Sequence, residues 1–259
     1  DTLAPYVGDK AARANTEGIN SILYYDRTCG DMIPVTLKIA EANFYADDTD
    51  LIVKVNGTPY TIDNWAQSGD EWTGTIKLID NGAYTISVSY TDKSGNVMTP
   101  YQSEKIVIDR VNPTIDKYVF TPLTSDGTAD TSAFVEVLEY GYYFKTAFNA
   151  SIYTSDASPS SGFDIISYRL VPYENGVKKD EITGTLPVSN GVANLGIPAG
   201  FKGQIYVESF DNAGNHSGQV TPQSFVIDQD TPVINILMNN TTSYTDANGN
   251  KLFITDMSV

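Results

Sequence analysis

The chain is short of the residues that carry most protein chemistry. Its 259 residues hold one cysteine, Cys29, and one histidine, His216, and its 16 Lys and Arg face 32 Asp and Glu. A lone cysteine excludes an intramolecular disulfide. Cys29 reads as a small, half-buried loop residue, since a catalytic thiol would need a histidine beside it and His216 is far along the chain. The formal charge of −16 contains no basic stripe. A phosphate backbone or an anionic membrane surface would be repelled, so nucleic-acid partners are excluded. No run approaches the roughly 18–20 apolar residues of a membrane span, which argues against direct membrane insertion. Helical periodicity is also missing, so helices are expected to be single turns at most. The spread of acidic charge favours a soluble monomer.

What the chain does contain is alternation and repetition. Residues 84–115 and 203–234 align without a gap, 119 residues apart, with identities at Ile86/Ile205, Val88/Val207, Asp92/Asp211, Gly95/Gly214, Asn96/Asn215, Val107/Val226, Ile108/Ile227 and Asp109/Asp228. An Asp-x-x-x-Pro-x-apolar phrase begins at Asp1, Asp109 and Asp228. Three copies about a hundred residues apart indicate tandem modules of one kind. The boundaries follow: 1–109, 110–228, and 229–259 as the incomplete start of a third. About thirty residues cannot bury a core of their own. The chain is accordingly read as a monomeric piece of a longer, multi-domain protein.

Period two fills both modules. Strands are predicted at Ile33–Glu41, Leu51–Val55, Pro59–Asp63, Trp72–Ile79, Ala83–Asp92 and Gln102–Asp109. The second set is Phe144–Tyr153, Ile165–Pro172, Gly191–Ile197, Gly203–Asp211 and Gln223–Asp228, and the third module would open with Val233–Met238. Asn56-Gly57, Asn175-Gly176 and Asn190-Gly191 mark tight turns, because these residues take positive φ at low cost. Short strands at roughly ten-residue spacing point to all-β, antiparallel sandwiches. Asp80-Asn-Gly82-Ala-Tyr84 has the spacing of a tyrosine corner, with Ile86 where a disulfide-bonded sandwich would place a half-cystine. Gly203 replaces that tyrosine in the second module, whose strand must be anchored otherwise. Asp92-Lys-Ser-Gly95-Asn96 and Asp211-Asn-Ala-Gly214-Asn215 fit hairpins in which the Asp caps backbone amides ahead of it.

With their closing Ile-Val-Ile-Asp109 and Phe-Val-Ile-Asp228, these phrases together resemble the bacterial immunoglobulin-like repeats of large Gram-positive surface proteins. The resemblance implies tandem immunoglobulin-like β-sandwiches without disulfides, secreted or attached to the cell wall. It also implies non-catalytic binding to a host protein in an adhesin or receptor role, immunoglobulin binding being one specific version. The alternatives are a purely structural stalk and a carbohydrate-binding accessory module of a secreted enzyme. The second module departs most from the pattern, through its missing corner tyrosine and its Ser-rich loop over residues 154–162.

No enzymatic activity is expected. His216, Ser217 and Asp211 share one turn, where a base cannot easily be held between nucleophile and carboxylate. No cofactor is expected either. Asp47-Asp48-Thr49-Asp50 lacks the Gly and bidentate Glu of a helix-loop-helix calcium site, and Asp246-Ala-Asn248-Gly-Asn250 is too short for six to eight converging oxygens. Calcium stays an alternative only at the linkers, Asp109 or Asp228, where carboxylates of two modules could meet. The candidate partner-binding patch is Tyr140, Tyr142 and Tyr143, since tyrosine gives large amphipathic contact area. The bland reading is packing, because Leu23-Tyr24-Tyr25 and Leu252-Phe253-Ile254 occupy matching places.

Overall fold

Alternating apolar and polar residues with β-branched enrichment fold as strands wherever a second strand can pair with them. The computed structural model describes residues 2–7, 13–15, 22–40, 44–45, 49–69, 71–130, 134–137, 141–219, 224–235 and 243–253. Among these residues the regular structure is all strand, apart from one 3-10 turn at Arg27–Cys29.

The first module carries β1 (Thr2–Val7), β2 (Arg13–Asn15), β3 (Ile22–Tyr25), β4 (Ile33–Ala40), β5 (Ile52–Val55), β6 (Thr58–Pro59), β7 (Ala66–Ser68) and β8 (Glu71–Leu78). It closes with β9 (Gly82–Tyr84), β10 (Ile86–Ser89), β11 (Tyr101–Gln102) and β12 (Lys105–Ile108). Their sheet orders are β1-β4-β8-β7, β11-β10-β5-β6 and β2-β3-β12-β9. Ile33, Val35, Leu37 and Ile39 of β4 are buried and the residues between them are not, as a half-covered strand requires. With Ile76, Ile86, Val88, Tyr90, Ile106 and Ile108 they form one core. Each such side chain, fully buried, contributes about 1.5–3 kcal/mol.

The strand predicted over Ala83–Asp92 is broken at Thr85, where the chain changes sheets: β9 pairs with β12 and β10 with β5. Asn56 fills the break, its Oδ1 accepting from Thr85 N at 2.8 Å and its backbone N–H donating to Thr85 O at 2.9 Å. The Asn-Gly turns form as expected, with φ of +50° and +78° at Asn56 and Gly57 and similar values at Asn175-Gly176 and Asn190-Gly191. Of Pro59–Asp63 only Pro59 lies in a strand, β6, paired with Lys54 of β5.

The second module carries β13 (Thr114–Pro122), β14 (Phe134–Val137), β15 (Gly141–Phe144), β16 (Phe148–Ser155) and β17 (Phe163–Glu174). It continues with β18 (Val177–Lys178), β19 (Ile182–Pro187), β20 (Val192–Ile197), β21 (Lys202–Asp211) and β22 (Ser224–Ile227). One sheet runs β13-β16-β20; the other runs β14-β15-β22-β21-β17-β18, with β19 also on β17. The single strand predicted over Phe144–Tyr153 is two, interrupted at 145–147. Phe120, Phe144, Phe148 and Phe225 stack or meet edge to face within 4.0–6.4 Å and centre a core separate from the first.

Antiparallel pairing is the expectation throughout, yet among the described residues each module has one parallel pair. In the first, Val107 lies opposite Tyr24 and Ile108 opposite Tyr25; in the second, Val226 lies opposite Tyr143 and Ile227 opposite Phe144. Asp109 N and Asp228 N then donate to Tyr25 O and Phe144 O, both at 2.9 Å. The correspondence holds at the same 119-residue spacing as in the sequence.

Beyond Asp228 the expected first strand is not formed at Val233 and Ile234, which are 80% and 86% exposed and lie in no strand. A β-prone segment without a pairing edge gains nothing by extending. The rest of Val233–Met238 falls outside the described residues, Asn235 apart. β23 (Ser243–Thr245) and β24 (Lys251–Phe253) form a hairpin around Asp246–Asn250.

Candidate functional site

The repeated Asp-x-x-Gly-Asn phrase builds the same turn each time. Asp211 Oδ1 accepts from Gly214 N and Asn215 N at 2.7 and 2.8 Å, and Asp211 Oδ2 accepts from Asn215 Nδ2 at 2.7 Å. Asp92–Asn96 and Asp246–Asn250 make the equivalent Asp–Asn bonds at 2.7–3.0 Å. The third copy, too short for a calcium site, repeats the same phrase and forms the same turn.

In the second module this hairpin lies against the end of the first. Asn215, 1% exposed, donates from Nδ2 to Asp109 O at 2.8 Å and accepts from Arg27 N at 2.9 Å. Tyr24 and Val107 pack on Ala213 across the same boundary, with Ile22 beside them. Arg110 ties the linker back to the first module, donating to Gly30 O, Ile79 O and Asn81 Oδ1 at 2.8–3.0 Å. The junction is a packed interface with directional bonds.

The Ser-rich loop completes it. Ser161 N donates to Asp109 Oδ2 at 2.6 Å, and Val111 N donates to Oδ1 at 3.1 Å. Ser161 is itself held by Asn212 Nδ2 at its carbonyl and by Ala213 N at its hydroxyl, at 2.9 and 3.1 Å. The same loop carries Asp156 inward. Carboxylate oxygens of Asp109, Asp156 and Asp211 come within 4.8 Å of one another. Asp109 and Asp211 are 0% exposed, and none of the ion pairs among the described residues involves any of the three.

Three like charges in a water-poor place disfavour ionisation. Burial, then Asp109 and Asp211, push the Asp156 carboxyl up to about 6, only partly offset by Ser160 and the Ala157 backbone. Burial also raises Asp211, against the lowering effect of Asn215, and Asp109 adds to the rise. Both oxygens of Asp156 are shut off from solvent, and Ser160 and the Ala157 amide lie near them without completing a hydrogen bond. All the ligand atoms are oxygens, which suits a hard cation rather than a soft metal.

Of the two linker aspartates singled out in the sequence, Asp109 enters this cluster and Asp228 does not; Asp228 is exposed. Asp156 was not singled out, because one Asp in a Ser-rich loop carries no signal of where that loop folds. The tyrosine patch is divided. Tyr142 points inward, 5.0 Å from Phe120 and 5.4 Å from Phe225 between ring centres, whereas Tyr143 is 37% exposed and Tyr140 lies outside the described residues. His216 bonds to Glu208 at 2.7 Å and stacks on Phe210, while Ser217 donates to Gly218 O, so the turn brings no triad together. Asp47 and Asp48 are outside the described residues, and Asp50 pairs with Lys93 at 3.0 Å. Cys29 sits half-buried at the end of the 3-10 turn. A shallow depression lined by Ser167, Thr183, Thr185, Tyr206 and Gln219 has one face of Tyr206 covered by the Arg169 guanidinium at 4.3 Å.

The tyrosine corner forms, with Tyr84 Oη donating to Asp80 O at 2.8 Å. Gly203 stands at that place in the second module because the strands close up there: a Cβ would lie 2.1 Å from Val171 O. Ile227 N donates to Phe201 O at 2.8 Å there, at the place of the Ile108–Gly82 pair in the first module, so both modules keep the same strand pairing and only the first adds the tyrosine bond.

No protein-family model matches the chain, and no curated protein matches it. Among solved structures it is similar to fibronectin(III)-like modules of Clostridium thermocellum CbhA, at 12% identity and TM-score 0.31, covering 83% of this chain and 93% of that one. It is similar to dimeric latent PorU from Porphyromonas gingivalis, at 9% identity and TM-score 0.27, covering 86% of this chain and 20% of that one. It is also similar to the major pilin subunit of Bacillus cereus, at 11% identity and TM-score 0.20, covering 100% of this chain and 66% of that one. These likenesses are too loose to bear on partner or chemistry. Among the described residues no helix is long and apolar enough to cross a membrane.

Proposed function

We propose that the chain is a pair of non-catalytic immunoglobulin-like modules from an extracellular bacterial surface protein, and that it holds loops and sheet edges out toward a host protein. The observation that carries the reading is the junction. Two separately cored sandwiches meet through a linker residue that is 0% exposed, with Asn215 of one module bonded to the backbone of both Asp109 and Arg27. Such a joint resists bending as a Gly/Ser linker does not. A chain built this way transmits spacing.

Host-protein binding, in an adhesin or immunoglobulin-receptor role, is the finer part of the proposal. It is supported by scaffold signals that recur without any recurring chemical motif. A purely structural spacer is the second reading, and the exposure of Tyr143 favours it. Tyr143 holds the place of Tyr24, which is 7% exposed and lies against the next module. The tyrosine surface then serves as a module junction. Two measurements on the full chain test these readings. Small-angle scattering should give one elongated form whose maximum dimension does not change with salt; a broad distribution of dimensions sinks the spacer. Purified polyclonal immunoglobulin and fibrinogen at micromolar concentration should give saturable binding; their failure, with capture of nothing from host secretions, leaves the spacer alone.

A further inference from the structure

We infer that Asp109, Asp156 and Asp211 form a calcium site that locks the two modules together. The first line of argument is charge. Two carboxylates with 0% exposure and a third whose oxygens are closed to solvent lie within 4.8 Å of one another, and none of the ion pairs among the described residues reaches them. Carboxylates this close in a water-poor place repel one another strongly unless a proton or a cation intervenes. The second is the unused donors. Asp109 and Asp211 spend lone pairs on backbone amides and Asn215, which fix their orientation, whereas both Asp156 oxygens are buried and unbonded. A carboxylate closed off from water and facing two others is oriented as a ligand.

Size and hardness select the ion. Oxygens bound to one calcium at about 2.3–2.6 Å are at most about 5 Å apart, which the cluster meets, and calcium tolerates irregular geometry with water completing its shell. Zinc or copper would call for nitrogen or sulfur, and His216 and Cys29 are not in the cluster. The three residues come from three places: the end of β12, the Ser-rich loop after β16, and the hairpin after β21. An ion there would bond both modules at once, so affinity and inter-module stiffness would be linked. Affinity in the range of extracellular calcium modules, about 10⁻⁴–10⁻³ M, is expected for three carboxylates and water.

The test is calorimetric titration of the chelator-stripped full chain with CaCl₂ at pH 7, together with its melting curve in CaCl₂ or EDTA. One calcium per chain should bind. Melting of the second module should rise by about 5 °C or more at about 100 times the dissociation constant. Asp156→Asn should lower affinity at least tenfold and, in EDTA, melt no lower than the natural chain, since it removes a buried charge that nothing balances. Asp92→Asn, in the equivalent hairpin away from the joint, should leave the titration unchanged. Two results overturn the proposal: no heat and no melting shift at several millimolar calcium, or a shift that survives in Asp156→Asn. Melting that is the same in CaCl₂ and in EDTA at every pH, and falls as pH rises from 5 to 7, would assign the cluster to a shared proton and also overturn it. None of these results touches the spacer reading, which scattering in CaCl₂ tests separately, since the joint should then be stiff with or without a bound ion.

Discussion

The hairpins at Asp92–Asn96 and Asp211–Asn215 make the same internal bonds, yet their aspartates are driven in opposite directions. Asn96 and the turn amides hold the Asp92 carboxyl below its ordinary value. Asp211 receives equivalent bonds and is nevertheless raised, because burial outweighs them and Asp109 adds its charge. The third copy, Asp246, is lowered like Asp92. The sequence phrase therefore specifies the turn, and the neighbour specifies the electrostatics. A turn cap in one setting becomes a strained acidic site when another module closes over it.

The largest break in this symmetry is steric. Gly203 corresponds to Tyr84, and any side chain there would meet Val171 O at 2.1 Å, a backbone atom that cannot swing away. Gly203→Ala should destabilise the second module by about 3 kcal/mol, at the upper end for overpacking. Both tryptophans, Trp65 and Trp72, belong to the first core, so their fluorescence reports that module alone. Calorimetry should show one transition shifted while the fluorescence midpoint stays in place.

Next comes the asparagine pair. Removing Asn215 strands the Asp109 carbonyl and the Arg27 amide, so Asn215→Ala should cost about 3 kcal/mol, because each buried unpaired group costs about 1–3 kcal/mol. Asn96, exposed, gives up only bonds within its own turn, and Asn96→Ala should cost about 1 kcal/mol. Urea unfolding of both variants checks the ratio. Equal losses would mean that the joint adds nothing to the turn.

Titration gives a comparison that needs no substitution. The Asp156 carboxyl is raised from 3.8 to about 6, so its stabilising contribution is complete below pH 3.8 and is lost as pH climbs through about 6. Asp211 acts in the same direction. Asp92 is lowered, so its contribution is present above pH 3.8 and is lost as pH falls through its folded pKa. From pH 4.5 to 7 in EDTA, the second module should lose stability while tryptophan fluorescence shows the first unchanged or gaining. Parallel trends in the two modules would remove the electrostatic distinction.

Most of the sandwich was readable because it is local. Alternation at Ile33–Ile39, the three Asn-Gly turns, the tyrosine corner and the paired Asp-Gly-Asn hairpins each need only neighbouring residues to declare themselves. The sheet change at Thr85 was not readable, since it depends on Asn56 reaching across a gap from another hairpin. Nor were the parallel pairs at Tyr24–Val107 and Tyr143–Val226, whose strands lie more than eighty residues apart. The acidic cluster was half readable: the linker position of Asp109 suggested that carboxylates could meet there. Asp156 became a member only because the Ser-rich loop folds back onto that linker, a long-range event with no periodic signature.

A smaller effect separates the two entrances to the late strands. Tyr84→Phe removes the bond to Asp80 O and leaves the ring in place, so the first module should lose about 1 kcal/mol by tryptophan-monitored unfolding. The second module, which has Gly203 in place of the tyrosine, should be unaffected.

The smallest expected effect concerns the exposed counterpart of a buried tyrosine. Tyr143→Ala should change stability by no more than about 0.5–1 kcal/mol, since its ring is 37% exposed and lies outside the phenylalanine core. Tyr24→Ala, by contrast, would empty a space at the junction between Val107 and Ala213. If Tyr143 is the uncovered half of a module junction, its loss leaves immunoglobulin or fibrinogen binding intact. If it anchors a host protein, the same substitution weakens that binding tenfold or more at nearly unchanged stability, the signature of an interfacial aromatic. One variant, measured both ways, thus divides the spacer reading from the adhesin reading.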